Sequence, residues 1–107
     1  MIPSPIIYRD TPCYSFKQID EHHRTVKGTT FLVFKRGLSM LTEGGNFFYL
    51  PAAEEHEFIE PLRESGLIYR STRNLVLLTD AAYQILFPAE TSDMYENDSA
   101  PQDALPE

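Results

Sequence analysis

Apolar side chains recur at helical spacing between residues 16 and 38, in the stretch FKQIDEHHRTVKGTTFLVFKRGL. The spacing predicts a short helix over residues 16–23 and a second helix over residues 27–38, with a tight turn between them. Ser15 precedes the first helix and Gln18 lies three residues further on, which is the spacing of a capping box. We expect this pair of helices to be the working part of the protein.

The second predicted helix has an apolar face and a polar, cationic face. Phe31, Phe34 and Leu38 fall at positions i, i+3 and i+7, which share one side of a helix. Thr25 is expected to cap this helix, with Gly28 inside its first turn. The opposite side carries Thr29, Thr30, Lys35 and Arg36. A short helix, a tight turn and a helix with a cationic outer face are typical of a helix-turn-helix unit.

Strand signals and one longer helix surround this unit in the sequence. Residues 6–8 are predicted as a short edge strand, and residues 47–50, which are aromatic and follow a turn signal, as another strand. Pro51 suits the first turn of a helix, which Gly66 is expected to end. Pro61 is expected to kink or split that helix because its ring removes a backbone hydrogen bond.

A β-hairpin and a last helix are predicted next. Residues 67–70 (LIYR) and residues 75–78 (LVLL) are strand-like runs separated by four turn-forming residues. Thr79 is expected to cap a final helix over residues 80–87. This order predicts an α+β fold: a small helix-turn-helix, winged-helix-like domain over residues 1–88, with the short antiparallel β-hairpin as its wing.

Charge is distributed unevenly along the chain. The net charge is −7, which at first argues against a nucleic-acid partner. Residues 1–87 hold all nine Lys and Arg with ten of the sixteen Asp and Glu and so sum to −1, whereas residues 88–107 hold six acidic residues and sum to −6. Low apolar content and high net charge predict that residues 89–107 are a disordered acidic tail. Residues 17–36 carry five basic and two acidic side chains, a local charge of +3 that suits DNA.

The spacings that catalysis or metal binding requires are missing from the sequence. Gly44-Gly45 lacks the following lysine of a phosphate-binding loop, and the run EEHE at residues 54–57 lacks the two-histidine spacing of a metalloprotease. His22 and His23 are adjacent and point apart on a helix, and Cys13 alone builds neither a zinc site nor an internal disulfide. We therefore expect no enzymatic activity, no metal and no cofactor.

The sequence also predicts where the protein resides. It has no apolar run long enough to cross a bilayer, and its first residues lack the cationic start and apolar segment of a signal peptide. The single cysteine agrees with a reducing compartment. We expect a cytoplasmic protein with no membrane partner.

The candidate DNA contacts form three groups. Five side chains of the first helix and the turn are expected to lie near phosphates: Lys17, His22, His23, Arg24 and Lys27. Four lie on or near the predicted groove-facing side of the second helix: Thr29, Thr30, Lys35 and Arg36. Two belong to the predicted hairpin: Arg70 and Arg73. One such domain contacts too little DNA to be selective at typical operator affinities, so a homodimer is expected.

Three segments, SFKQIDEHH, RTVKGTTFLVFKR and LTEGGNFFYL, resemble a known family. They are similar to the N-terminal DNA-binding domains of phage and prophage regulatory, antirepressor-type proteins in the broad KilA-N-like group. Those domains similarly have a helix beginning near FxxID, a Gly-Thr pair opening the next helix, and an aromatic strand after an EG turn. NLVLLTDAAYQIL looks like the segment that closes them. The resemblance implies binding to double-stranded DNA and a role in transcriptional or lysis–lysogeny control of a phage or mobile element.

Two features depart from that family and leave an alternative open. Its members often carry a second, C-terminal domain in place of an acidic tail, and a DNA-reading helix is usually more polar than residues 31–34. The alternative is a protein-binding inhibitor or antirepressor module that docks on a host or phage protein, while the acidic tail mimics nucleic acid. A tail that folds back on the basic patch is a third interpretation. The candidate protein contacts are Leu32, Val33, Phe47, Phe48 and Tyr49.

Overall fold

A four-stranded antiparallel sheet with helices on both faces forms the described part of the chain, which in this computed structural model is residue 2 and residues 4–88. The strands are β1 (Ile6–Tyr8), β2 (Thr11–Ser15), β3 (Phe47–Leu50) and β4 (Leu75–Thr79), in the order β1-β2-β4-β3. The helices are α1 (Phe16–His23), α2 (Thr29–Arg36), α3 (Ala52–Ser65) and α4 (Asp80–Leu86), with a 3₁₀ turn at Leu38–Met40. The predicted α+β class is confirmed, and the predicted acidic tail lies outside the described residues.

Strand alternation gives the sheet two buried faces. Tyr14 and Phe47 both pair with Leu78, and these three side chains share one face, where α1, α2 and α4 contribute Ile19, Phe34, Ala82 and Tyr83 to a common core. The other face carries Leu77 and Leu50, which pack with Ile59 of α3. Because both faces are covered, β3 (FFYL) and β4 (LVLLT) read as nearly continuous apolar runs rather than as alternating ones.

β1 and β2 form a tight hairpin at the start of the sheet. The two connecting residues, Arg9 and Asp10, both have positive φ values, of 52° and 62°. Positive φ at both central positions is the geometry of a type I′ turn, whose twist matches that of the flanking strands. The predicted edge strand at residues 6–8 is confirmed, and its partner is β2.

α1 has the predicted bounds and the predicted cap. The Ser15 side chain accepts a hydrogen bond from the Gln18 N–H, and the Gln18 side chain accepts one from the Ser15 N–H. This capping box satisfies two backbone donors that would otherwise lack intrahelical partners. The helix ends at Arg24, which takes the left-handed conformation.

α2 begins later and ends earlier than the sequence predicts. Its N-cap is Gly28, at a φ of 95°, so neither the cap at Thr25 nor a helical Gly28 is correct. The buried side comprises Thr30 and Phe34, while Phe31 and Leu38 are 45% and 44% exposed. The predicted apolar face is therefore wrong for two of its three members.

The predicted hairpin of residues 67–70 with residues 75–78 is wrong. β4 pairs with β2 along one side and with β3 along the other, so both of its hydrogen-bonding edges are occupied. Residues 67–70 are a loop instead, in which the buried Ile68 packs into the core beside α3. The described residues do contain a short antiparallel hairpin, formed by β1 and β2, but it lies at the opposite end of the sequence.

The predicted break at Pro61 is also wrong, because α3 continues through this residue. Pro61 and Glu57 both lie on the exposed side of the helix, where water can bond to the carbonyl that lacks its intrahelical donor. The non-helical backbone lies earlier, at Glu55, whose carboxylate accepts a hydrogen bond from the Tyr8 hydroxyl. Gly66 ends the helix in the left-handed conformation, as predicted.

Candidate functional site

Asp20 joins the two helices of the predicted DNA-binding unit. It lies in α1 and is 1% exposed. Its Oδ1 accepts hydrogen bonds from the backbone N–H and the hydroxyl of Thr30, at 2.8 and 2.6 Å, and its Oδ2 accepts one from the Gly28 N–H at 3.0 Å. The carboxylate thus takes the place of a side-chain N-cap for α2, where negative charge also complements the helix dipole.

The environment of Asp20 favours its charged form. Burial acts to raise the pKa of this carboxyl, but hydrogen bonds from Thr30, Tyr69 and Gly28 together outweigh that effect and hold the pKa below its usual value. A buried carboxylate with several donors is stable because its lone pairs are satisfied. The ionised carboxylate of Asp20 therefore links α1 to the N-terminal end of α2.

Residues 66–74, which we call the crossing loop, pass from the α3 layer to the α1–α2 layer. Tyr69 of this loop donates its hydroxyl to Asp20 Oδ2 at 2.6 Å. From the other side, Arg63 of α3 donates to the carbonyl oxygens of Arg70 and Thr72. These contacts fix the loop beside the helix pair.

Two lysines of the helix pair also contact the crossing loop. Lys17 Nζ donates to the Gly66 carbonyl at 2.8 Å and lies 3.9 Å from Glu21. Lys27 Nζ donates to Ser71 Oγ at 3.1 Å and lies 5.0 Å from the centre of the Tyr69 ring. The loop that carries Arg70 and Arg73 thereby lies against the segment that carries Lys17, Arg24 and Lys27.

We call this assembly the basic edge. It consists of Lys17, Arg24, Lys27, Arg70 and Arg73. Four of these side chains are exposed and Lys17 is partly buried. The edge unites the predicted phosphate contacts of α1 and the turn with the two arginines that were expected on a hairpin.

Opposite signs of charge lie on the two sides of the sheet. On one side, α1, the turn, α2 and α4 carry five basic and three acidic residues, +2 in total. On the other side, α3 carries five glutamates and Arg63, a sum of −4. The near-neutral net charge of residues 1–87 therefore combines a positively charged side with a negatively charged side.

A cleft of about 460 Å³ opens beside the basic edge. Its walls are largely apolar, and Lys17 and Lys27 both line it. Two of its rings, Phe31 and Tyr49, are 45% and 46% exposed. The remaining lining residues are Ser15, Phe16, Gly28, Ile68, Tyr69, Ser71, Thr72, Asn74, Leu75 and Val76.

Two of the predicted groove or phosphate contacts are engaged inside the fold. Thr30 is 2% exposed and bonded to Asp20, which corrects its expected position on the groove-facing side. His23 Nε2 lies 2.6 Å from the Tyr83 hydroxyl, and its ring packs edge-on against Phe87 at 4.7 Å. Thr30 therefore cannot contact DNA, whereas His23 is partly exposed and links α1 to α4.

The other predicted contacts of the helix pair are at least partly accessible. Lys35 and Arg36 are exposed at the C-terminal end of α2, and Lys35 Nζ lies 5.3 Å from the centre of the Phe31 ring. Thr29 is partly buried and donates to the Val26 carbonyl. His22 is also partly buried.

The predicted protein contacts divide between core and surface. Phe47 is buried against Phe34, and Phe48 is partly buried against Tyr8, so the two phenylalanines do not form the expected surface patch. Leu32 is 51% exposed. Leu38 and Met40 of the following 3₁₀ turn are also exposed, whereas Val33 is partly buried.

Sequence reasoning missed the two residues that assemble the site, Asp20 and Tyr69. In the sequence, Asp20 enters only into the local charge of residues 17–36, and Tyr69 only into a predicted strand. A sequence signal for the first does exist. Asp20 lies in the middle of a predicted helix, and Gly28 and Thr30 follow it at short range. Their backbone N–H groups are donors of the kind that a buried carboxylate needs. Nothing comparable in the sequence points to Tyr69, because its contact spans 49 positions.

Among residues 2 and 4–88, no group of three or more His, Cys, Asp or Glu side chains is placed to hold a metal ion. Within the same residues, no helix has the length and apolar character to cross a membrane. Comparisons with models of protein families, with curated proteins and with solved structures find no match to this chain. The proposals below therefore rest on the geometry and charge of the site.

Proposed function

We propose that this chain is a small DNA-binding regulator of the phage or mobile-element type. The observation that carries the proposal is the joining of the crossing loop to the α1–α2 segment, because it brings the loop that carries Arg70 and Arg73 beside Lys17 and Lys27. Proteins bind the DNA backbone through such clusters of Lys and Arg, whose contacts release counterions from the phosphates. The negative charge of α3 lies on the far side, where it opposes other orientations on DNA.

In this proposal the α1–α2 pair acts as the helix-turn-helix unit. The basic edge contacts phosphates and fixes the orientation of the protein, while α2 lies in the major groove with Lys35 and Arg36 near base edges. The crossing loop takes the place that a wing occupies in winged-helix proteins, and presents Arg70 and Arg73 to the backbone. The resemblance of residues 14–50 to KilA-N-like domains supports the same assignment.

The exposed cations allow a controlled test of DNA binding. Fluorescence anisotropy would compare the wild type with Lys27→Ala/Arg73→Ala and with Lys35→Ala/Arg36→Ala on a duplex of random sequence. Both double variants should bind more weakly, because each loses two phosphate or base contacts. Arg9→Asn is the matched control, since Arg9 is exposed in the β1–β2 turn and Asn tolerates a positive φ. Equal binding by all four proteins would contradict the proposal.

A second candidate function is supported by exposed apolar side chains in α2 and the 3₁₀ turn that follows it. Leu32, Leu38 and Met40 are each more than 40% exposed. Exposed apolar patches of this kind mark protein interfaces. The partner would be a second copy of the chain or a separate host or phage protein.

Analytical ultracentrifugation of the wild type and Leu32→Asp measures their oligomeric state, which distinguishes a second copy of the chain from a separate protein partner. A wild-type dimer that Leu32→Asp converts to a monomer supports self-association through α2. A monomeric wild type that binds no DNA favours the inhibitor or antirepressor alternative. In that case Leu32→Asp should abolish capture of the partner, whereas Lys35→Ala/Arg36→Ala should leave it intact.

A further inference from the structure

The cleft beside the basic edge pairs exposed aromatic rings with cations. Tyr49 of β3 and Phe31 of α2 both line it with roughly half of each side chain exposed. Lys35 lies over the Phe31 ring, and Lys27 lies over the Tyr69 ring. Apolar rings left open to solvent in a concave site are unfavourable unless a ligand covers them.

We propose that this cleft receives one unpaired base of a nucleic-acid strand, whose flanking phosphates lie at Lys17 and Lys27. The inference rests on the proposed function and adds a preference for DNA that contains an unpaired base. The volume of the cleft, about 460 Å³, lies within the range of small-ligand sites. Base pairing in a regular duplex hides the flat faces of the bases, so only an unstacked base can enter.

The chemistry of the lining matches this occupant. Every base has a π-face, so stacking on aromatic side chains holds unpaired bases with little regard to sequence. An ammonium group has three N–H donors, and the bond from Lys27 to Ser71 uses one of them. Lys17 and Lys27 line the same cleft, and each ammonium group keeps N–H donors beyond its bond to the crossing loop, so both can donate to phosphates next to an inserted base.

The test compares two DNA molecules that differ only in one unpaired base. Anisotropy would be measured with a short duplex and with the same duplex carrying a single bulged thymine. Stacking of one base predicts roughly tenfold tighter binding of the bulged DNA. Equal affinity for the two would overturn the cleft proposal while leaving the proposed function standing. Binding to neither would overturn both.

Variants at Tyr49 provide the matched control. Tyr49→Phe keeps the ring and should keep the preference for the bulge, whereas Tyr49→Leu keeps the apolar bulk and should lose it. Both should bind the regular duplex as the wild type does. Retention of the preference by Tyr49→Leu would place the base elsewhere and contradict the proposal. Free thymidine monophosphate should compete weakly, since it lacks the second phosphate; tight binding of this nucleotide would overturn the assignment to a strand.

Discussion

The Tyr69 hydroxyl donates a hydrogen bond of 2.6 Å to the carboxylate of Asp20 across 49 positions of sequence. This one contact ties the crossing loop to the turn between α1 and α2. Since Arg70 follows Tyr69 directly, and Lys27 precedes the Gly28 donor to the same carboxylate, the contact also sets the shape of the basic edge. Stability and the proposed DNA binding therefore depend on the same carboxylate.

Replacement of Asp20 by Asn should destabilise the fold strongly. The amide keeps the size of the side chain but turns one of its two acceptor atoms into a donor, which then faces the donors of Tyr69 and Gly28 or of Thr30. Loss of charged hydrogen bonds with buried donors left unsatisfied predicts a loss of about 3 kcal/mol in the free energy of unfolding. Urea denaturation measures it.

Glu21→Gln is the control for this change. Glu21 is the next residue in α1, and its carboxylate is exposed and 3.9 Å from Lys17. Removal of such a surface charge should change the free energy of unfolding by less than about 1 kcal/mol. A similar small loss for Asp20→Asn would show that the junction is not held by the carboxylate.

Stability should fall in acid because Asp20 must stay ionised. The folded-state pKa of Asp20 lies below its ordinary value of 3.8, so the folded state holds this proton less tightly than the unfolded chain. The resulting stabilisation is complete at pH values well above 3.8 and is lost as the pH falls from there through the folded-state pKa.

Urea denaturation of the wild type and Asp20→Asn over this acid range isolates the effect. The pKa of Glu60 is also lowered, through its bond from Arg63, but that group is common to both proteins and cancels in the comparison. We expect the stability difference between the two proteins to shrink as the pH falls. Parallel pH profiles would contradict an ionised Asp20.

Gly28→Ala should be destabilising through the backbone alone. A Cβ at this position would meet open space, but the φ of 95° is one that side chains other than Gly rarely adopt. A cost of about 1–2 kcal/mol is expected from this conformation. Gly45→Ala serves as control, because Gly45 has no positive φ and its added Cβ would make ordinary contacts of 3.8 and 3.9 Å. Equal thermal shifts for the two variants would exclude backbone strain at Gly28.

Cys13 should be unreactive in the folded protein. Burial, with a smaller contribution from the charge of Asp80, raises the pKa of this thiol to about 11, and the side chain is 0% exposed. The reactive species is the thiolate, so a thiol reagent at mildly alkaline pH should label the protein only after unfolding. Rapid labelling without denaturant would show that this part of the sheet opens.

Local signals account for the elements that the sequence predicted correctly. Ser15 and Gln18 cap α1, Thr79 caps α4 and Gly66 ends α3, and each effect acts over a few residues. The failures arise where distant contacts decide. The LIYR segment has the composition of a strand, but both edges of β4 were already occupied by β2 and β3.

The candidate site likewise combines features that local sequence predicts with features that only distant contacts determine. The excess of basic residues around α1 and the α1–α2 turn is visible in the sequence, because Lys17 lies in α1 and Arg24 and Lys27 lie in the turn. Its union with the crossing loop is not visible, since it depends on Tyr69 and on the bonds of Arg63 to the loop carbonyls. Burial of Thr30 was equally hidden, because a helical pattern does not reveal which polar residue meets a buried acid.

The salt dependence of duplex DNA binding tests the central proposal most directly. Anisotropy titrations of the full chain from about 50 to about 200 mM salt should give log K falling linearly with log salt concentration, by about 0.9 per phosphate contacted. Lys27→Ala/Arg73→Ala should bind more weakly, with a slope shallower by about 2. Absence of binding at the lowest salt, or a slope unchanged by the double variant, would contradict a DNA-binding role for the basic edge.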